Sequence, residues 1–284
     1  MLALLPLMLL QVGPMPSTGP VSAVPEELQE QRRLNRARAA AIDESRPDDP
    51  VRACFAQADA DAETARANYA ARLNAAAGTD RAVAAHCLGY ALSALERWDE
   101  AEQAFISARD AVPADDAGRR AELGAAAAIA AAARGDFTGA LTLYQAAQSE
   151  AQRAGDAALT GRIARDMAHP LHQLGQAEAA AATLAQARAA LPDDPATWLI
   201  SARLSRQQDR LAEAQQQIER AALLDPRNPE VGLEAGVIAA LAGNEDAARK
   251  SWQSVVTTAG DSPVASAALR YLDQLGEPTT AEAQ

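Results

Sequence analysis

Residues 101–113 read AEQAFISARDAVP, with alanine at Ala101, a large side chain at Phe105, a second alanine at Ala108 and proline at Pro113. The same steps return in 180–192, AAATLAQARAALP, at Ala180, Leu184, Ala187 and Pro192, and in 214–226, AQQQIERAALLDP, at Ala214, Ile218, Ala221 and Pro226. Two looser copies lie between and after them. Ala140, Tyr144 and Ala147 lack the proline, and Ala248, Trp252 and Val255 have Gly260 in its place. The first alanines fall at 101, 140, 180, 214 and 248, in steps of 39, 40, 34 and 34. Fixed periods of this size mark a chain built of repeated units.

The physics of each copy is local. A small residue lets two antiparallel helices approach, a large one a turn later fills the gap to the next pair, and proline ends the second helix. Gly135, Gly175 and Gly243 stand five residues before the alanine, where a left-handed residue closes the first helix. Asp99, Asp136 and Asn244 suit the start of the second helix.

From about Asp49 to Leu275 the chain resembles the tetratricopeptide repeat family. That family's pattern has tryptophan, Leu-Gly and tyrosine in the first helix, then alanine, an aromatic, alanine and proline in the second. The second half matches here. In the first half, Leu88-Gly89 is in register once and Trp198 stands once at the tryptophan place, while Trp98 lies at a turn. The resemblance implies an all-α, right-handed solenoid of about six helical hairpins with a capping helix. It also implies a concave groove, lined by first helices, that holds a segment of a protein or peptide partner.

The repeat steps lay out the chain. A divergent hairpin over 49–78, where Ala65 and Tyr69 echo the spacing, is followed by hairpins over about 82–115, 121–155, 161–194, 195–228 and 229–260. An amphipathic capping helix over 261–275 (Val264, Ala267, Leu269, Leu272, Leu275) shields the last hairpin, as a terminal repeat must. Residues 24–48 form a charged helix or linker containing Arg32, Arg33, Arg36 and Arg38, and 276–284 a disordered tail.

Composition agrees. Of 284 residues 49% are hydrophobic but only 4% aromatic, so the apolar content is small and helix-forming, and no β segment stands out. A net charge of −12 without a basic run in the repeats disfavours nucleic acid as a partner. No Gly-rich phosphate loop, Gly-x-Ser-x-Gly elbow or His-Glu-x-x-His occurs, which argues against an enzyme and implies no cofactor. The three histidines are His86, His169 and His172. His169 and His172 with Asp166 would offer a metal two or three ligands on one short helix, a poor site, and no metal is expected.

Aligning the first helices by the repeat steps gathers a strip. Arg162, Arg165, His169 and His172 advance by 3, 4 and 3 along one helix face. One step onward the strip continues at Arg203 and Arg206, and in the second hairpin it meets His86 and Tyr90. Two readings stand side by side. Arginines occupy any solvated face; or the strip receives an acidic or carboxylate-ended segment, because arginine offers paired donors to carboxylates. The peptide-terminus clamp of the resembled family uses lysines and asparagines that have no match here. The neighbouring faces offer Ala125 and Ile129 on one side and Leu233 and Val237 on the other, so the groove reads as half basic and half apolar. Pro170 interrupts the helix that carries the strip and bends it.

Leu2 to Leu10 form an apolar stretch of signal-peptide length, too short to span a bilayer, and Val21-Ser22-Ala23 offers small residues for cleavage, giving a signal segment over 1–23. No Lys or Arg precedes it, so an uncleaved N-terminal membrane anchor is the alternative. Cys54 and Cys87, 33 residues apart, are the only cysteines, and in an oxidising compartment such as the periplasm or the exterior an even count invites pairing. Stacked helices usually lie about 8 to 10 Å apart, whereas a disulfide needs Cα atoms within about 7 Å. A bond and two buried thiols both remain open. The sequence therefore reads as a non-catalytic binding scaffold of the cell envelope, without a stable membrane span after cleavage and of open oligomeric state. A structural or self-assembling envelope component is the alternative, and an enzyme or metal-binding protein a second.

Overall fold

The residues that define the spacing are all interior. In its five copies none of the alanines or large residues, from Ala101 and Phe105 to Trp252 and Val255, is more than 5% exposed. The computed structural model describes residues 51–275. The expected signal segment over 1–23, charged segment over 24–48 and tail over 276–284 lie outside the described residues.

Among the described residues there are thirteen α-helices and no strand. Six hairpins pair α1 (Arg52–Ala60) with α2 (Ala62–Ala75), α3 (Gly78–Ala94) with α4 (Trp98–Ala111), α5 (Ala117–Ala133) with α6 (Phe137–Arg153), α7 (Ala157–Gln173) with α8 (Ala177–Ala190), α9 (Pro195–Gln207) with α10 (Leu211–Leu224), and α11 (Pro229–Leu241) with α12 (Glu245–Ala259). A lone α13 (Pro263–Leu275) follows. This is the all-α hairpin array that the spacing predicts.

Turns follow the expected chemistry with informative exceptions. Gly135, Gly175 and Gly243 take φ of +91°, +73° and +78°. At the same step Glu96 (φ +61°) and Asp209 (φ +57°) adopt the left-handed conformation without being glycine, a costly choice for a residue with a Cβ. Asp136 and Asn244 cap α6 and α12 by accepting from the amides of Gly139 and Ala247. Asp99 does not cap: α4 begins one residue earlier at Trp98, and Asp99 pairs with Arg134 at 3.2 Å.

Helix approach depends on small residues. A Cβ on Gly89 of α3 would sit 2.7 Å from Phe105 Cε1, and one on Gly236 of α11 would collide with the Trp252 indole. Larger residues there would push the paired helix away. Most successive first helices also pack on one another directly (α1 on α3, α5 on α7, α9 on α11, α11 on α13), whereas successive second helices barely meet, so the first-helix side lies inside the curve.

The first hairpin is joined covalently. Cys54 of α1 and Cys87 of α3 form a disulfide with Cα atoms 5.6 Å apart. Ala58 and Ala91, one turn along each helix and at most 2% exposed, allow that close approach. On the chain-entropy model such a loop closure contributes about 3 to 4 kcal/mol.

Candidate partner-binding face

The first-helix face is built hairpin by hairpin, and its cations are mostly engaged. On α7, capped by Asp156 accepting from the Leu159 amide, Arg162 is half-buried and has no ion-pair partner among the described residues. Arg165, one turn on, is 2% exposed. Its Nη1 lies 2.5 Å from Asp194 Oδ2 and its Nε donates to Asp166 at 3.3 Å. Arg165 therefore ties α7 to the start of α9 and is not presented to a ligand.

Arg203 and Arg206 on α9 are also tied. Arg203 pairs with Glu230 at 3.2 Å and Glu234 at 3.5 Å, and Arg206 with Glu234 at 2.5 Å. Both glutamates lie on α11, and Glu234 is 5% exposed. The face opposite these arginines is thus acidic, while Leu233 and Val237 are half-buried against the last core cluster with Tyr271 and Leu272. Within a nearly desolvated contact, an arginine fork satisfied by two carboxylates is held by charge-assisted hydrogen bonds.

His86 and Tyr90 are covered from the N-terminal side. The His86 ring meets Phe55 edge-on at 5.2 Å and Phe105 at 5.9 Å, and Arg119 Nη2 donates to its Nδ1 at 2.9 Å. Burial, reinforced by the Arg119 charge, pushes its pKa down to about 3. His86 is therefore a neutral packing group at pH 7. Tyr90 stacks on Phe55 at 4.3 Å and donates to Asp59 Oδ1 at 3.1 Å.

The C-terminal part of α7 differs. His169 meets Phe137 edge-on at 5.6 Å, and His172 is half-buried with a buried Nδ1 that has no hydrogen-bond partner among the described residues. Pro170 between them has no N–H to donate into the helix. Arg162, His169 and His172 share one helix face at steps of seven and three. Beside them α5 turns Ala126, Ile129 and Ala133, all half-buried, to the same side. The eight strip residues thus divide into three that remain along one groove wall and five that hold hairpins together.

The acids that complete those ties, Asp194, Glu230 and Glu234, escaped the sequence reading. A signal existed: Arg165–Asp194, Arg203–Glu230 and Arg206–Glu234 are separated by 29, 27 and 28 residues. The recurrence is a diagonal reach from one first helix to the next. Among the described residues no group of three or more His, Cys, Asp or Glu gathers to hold a metal ion, and no helix is long and apolar enough to cross a membrane.

No protein-family model matches the sequence, and no curated protein matches it. Solved structures do. PilF of Pseudomonas aeruginosa is similar with a TM-score of 0.56 and 14% identity, over 78% of this chain and 97% of that one. BtubC of P. vanneervenii gives a TM-score of 0.57 and 16% identity, over 76% and 95%. A tetratricopeptide repeat protein from Parabacteroides merdae gives 0.52 and 16%, over 66% and 70%. With the spacing, the buried signature residues and these likenesses together, the chain has the tetratricopeptide-repeat fold.

Proposed function

We propose that the protein is a non-catalytic scaffold of the cell envelope that holds a protein or peptide segment along the first-helix face of α5 and α7. The observation that carries this reading is Arg162. Arg165, Arg203 and Arg206 each close an ion pair, whereas Arg162 stays half-buried on the same face without one among the described residues. A carboxylate of an incoming segment would complete it with paired hydrogen bonds. Further along the same face, level with His169 and His172, half-buried Ala126, Ile129 and Ala133 of α5 give an apolar wall that leaves room for a partner's apolar side chain. The buried Cys54–Cys87 disulfide supports an oxidising location, outside the cytoplasm.

A photo-crosslinking residue at position 133 tests this reading when the protein is exposed to envelope extract and the trapped peptide is identified by mass spectrometry. A synthetic copy of that peptide should carry a carboxylate beside an apolar residue. Its affinity should fall about tenfold or more in Arg162→Glu, the loss expected when a charge-assisted pair becomes a repulsion. Equal affinity for both proteins, or a trapped peptide without a carboxylate, overturns the proposal.

A further inference from the structure

One buried row sets α9 apart from every other first helix of hairpins two to six. At equivalent repeat steps α3 carries Ala84, Leu88 and Leu92, α5 carries Leu123, Ala127 and Ala131, α7 carries Ile163, Met167 and Leu171, and α11 carries Val231, Ala235 and Ala239. In α9 the row is Thr197, Ser201 and Ser205, at 0%, 1% and 2% exposure. Each hydroxyl is bonded. Thr197 Oγ1 donates to Asp194 Oδ2 at 2.5 Å, Ser201 Oγ accepts from Arg188 of α8 at 2.8 Å, and Ser205 Oγ donates to Gln217 of α10 at 2.9 Å.

Of this row Ser201 bonds across to the preceding hairpin, while Thr197 bonds to the cap of its own helix and Ser205 to the other helix of its own hairpin, and the seam beside them is held in the same polar manner. Between the α7/α8 and α9/α10 hairpins the ties include Arg165 to Asp194, Arg188 to Ser201, Arg188 over the Trp198 ring, Arg220 to Asp193, and Gln208 Nε2 to the Ala177 carbonyl at 3.0 Å. In the buried clusters, Leu204 with half-buried Ile200 is what α9 adds to the apolar core of the preceding hairpins, whereas α7 adds Leu159, Ile163, Met167, Ala168 and Leu171 to its own. Arg165 Nη2 is buried at this seam with no hydrogen-bond partner among the described residues. Opening a seam of this kind costs little, because hydroxyls and guanidinium groups exchange protein partners for water, whereas an apolar row loses its burial outright.

We propose that this seam is a hinge dividing the array into two arms, 51–190 and 195–275, whose mutual angle changes while each arm keeps its internal packing. The hinge lies between Arg162 on α7 and the paired arginines of α9, so its angle sets the spacing between hairpins four and five on the first-helix face.

The test uses spin labels on paired exposed positions, which the native disulfide permits because it leaves no other thiol. Ser149→Cys with Gln216→Cys spans the seam from α6 to α10; Gln103→Cys with Gln186→Cys spans the same number of hairpins from α4 to α8 without crossing it. Pulsed dipolar spectroscopy should give a distance distribution about twice as broad for the first pair, since hinge motion adds to label motion only there. In the variant Thr197→Val/Ser201→Ala/Ser205→Ala the breadth should fall to that of the control. Equal breadths in the otherwise unaltered chain refute the hinge, and that comparison decides even where the triple variant fails to fold. Unchanged breadth in a folded triple variant refutes the polar row as its cause.

Discussion

The seam entering α5 and the seam entering α9 occupy equivalent places in the array and differ in the row of side chains that fills them, apolar in one and hydroxylic in the other. At the first, Leu123, Ala127 and Ala130 join Phe105, Ala108 and Val112 in one apolar cluster, edged by Arg120 donating to the Arg109 and Val112 carbonyls. At the second, Thr197 and Ser201 meet Asp194 and Arg188. Both are buried and both leave the hairpin geometry intact. Because each hairpin touches only its neighbours, stability in such an array is set seam by seam, and one polar seam weakens a place without spoiling the fold.

The largest effect should come from exchanging the materials. Leu123→Ser removes a side chain that is 1% exposed and leaves a cavity with a hydroxyl, so denaturant unfolding should show a loss of about 3 to 5 kcal/mol. The converse, Thr197→Val, copies Val231 and should change stability by less than about 1 kcal/mol, since Asp194 keeps Arg165 and the Thr197 amide. Similar losses for both would mean that the two seams are equivalent after all.

Acid should distinguish the two ends of the array. His86 is held neutral in the native state at a pKa of about 3, against about 6.5 when unfolded. Its contribution is complete above pH 6.5 and is lost as pH falls toward 3, because the unfolded chain takes up the proton first. Measured between pH 7 and 4, stability should therefore decline more steeply in the parent protein than in His86→Phe; parallel slopes would rule out His86 as the source. Asp59, Arg119 and Glu122 are the charged groups around its cluster, and they are common to both proteins.

The smallest expected effect concerns the turns. Asp209→Gly relieves a left-handed residue at the α9–α10 turn and should raise stability by up to about 1 kcal/mol, as should Glu96→Gly in the α3–α4 turn. A loss on either substitution would show that the acidic side chain does more there than tolerate the conformation.

Much of the fold was legible because each hairpin is decided locally. Ala101, Phe105 and Ala108 state their own packing, and Gly135, Gly175 and Gly243 their own turn. The site was less legible. The repeat step aligned Arg165, Arg203 and Arg206 with one another, but a long guanidinium reaches diagonally to an acid 27 to 29 residues on, so their partners fell outside the comparison. The cysteine distance was similarly out of reach, because the usual helix spacing does not foresee how far Ala58 and Ala91 let α1 approach α3. The Thr197, Ser201 and Ser205 row could have been read with the same ruler, since among the equivalent rows in hairpins two to six it alone is polar throughout.

Native-state hydrogen exchange with increasing denaturant, read peptide by peptide, tests the unequal seams most directly. Helices α9 to α12 should lose protection together at lower denaturant than α3 to α8, in a separate step that begins at the polar seam. Loss of protection along 51–275 in a single concerted step would contradict it.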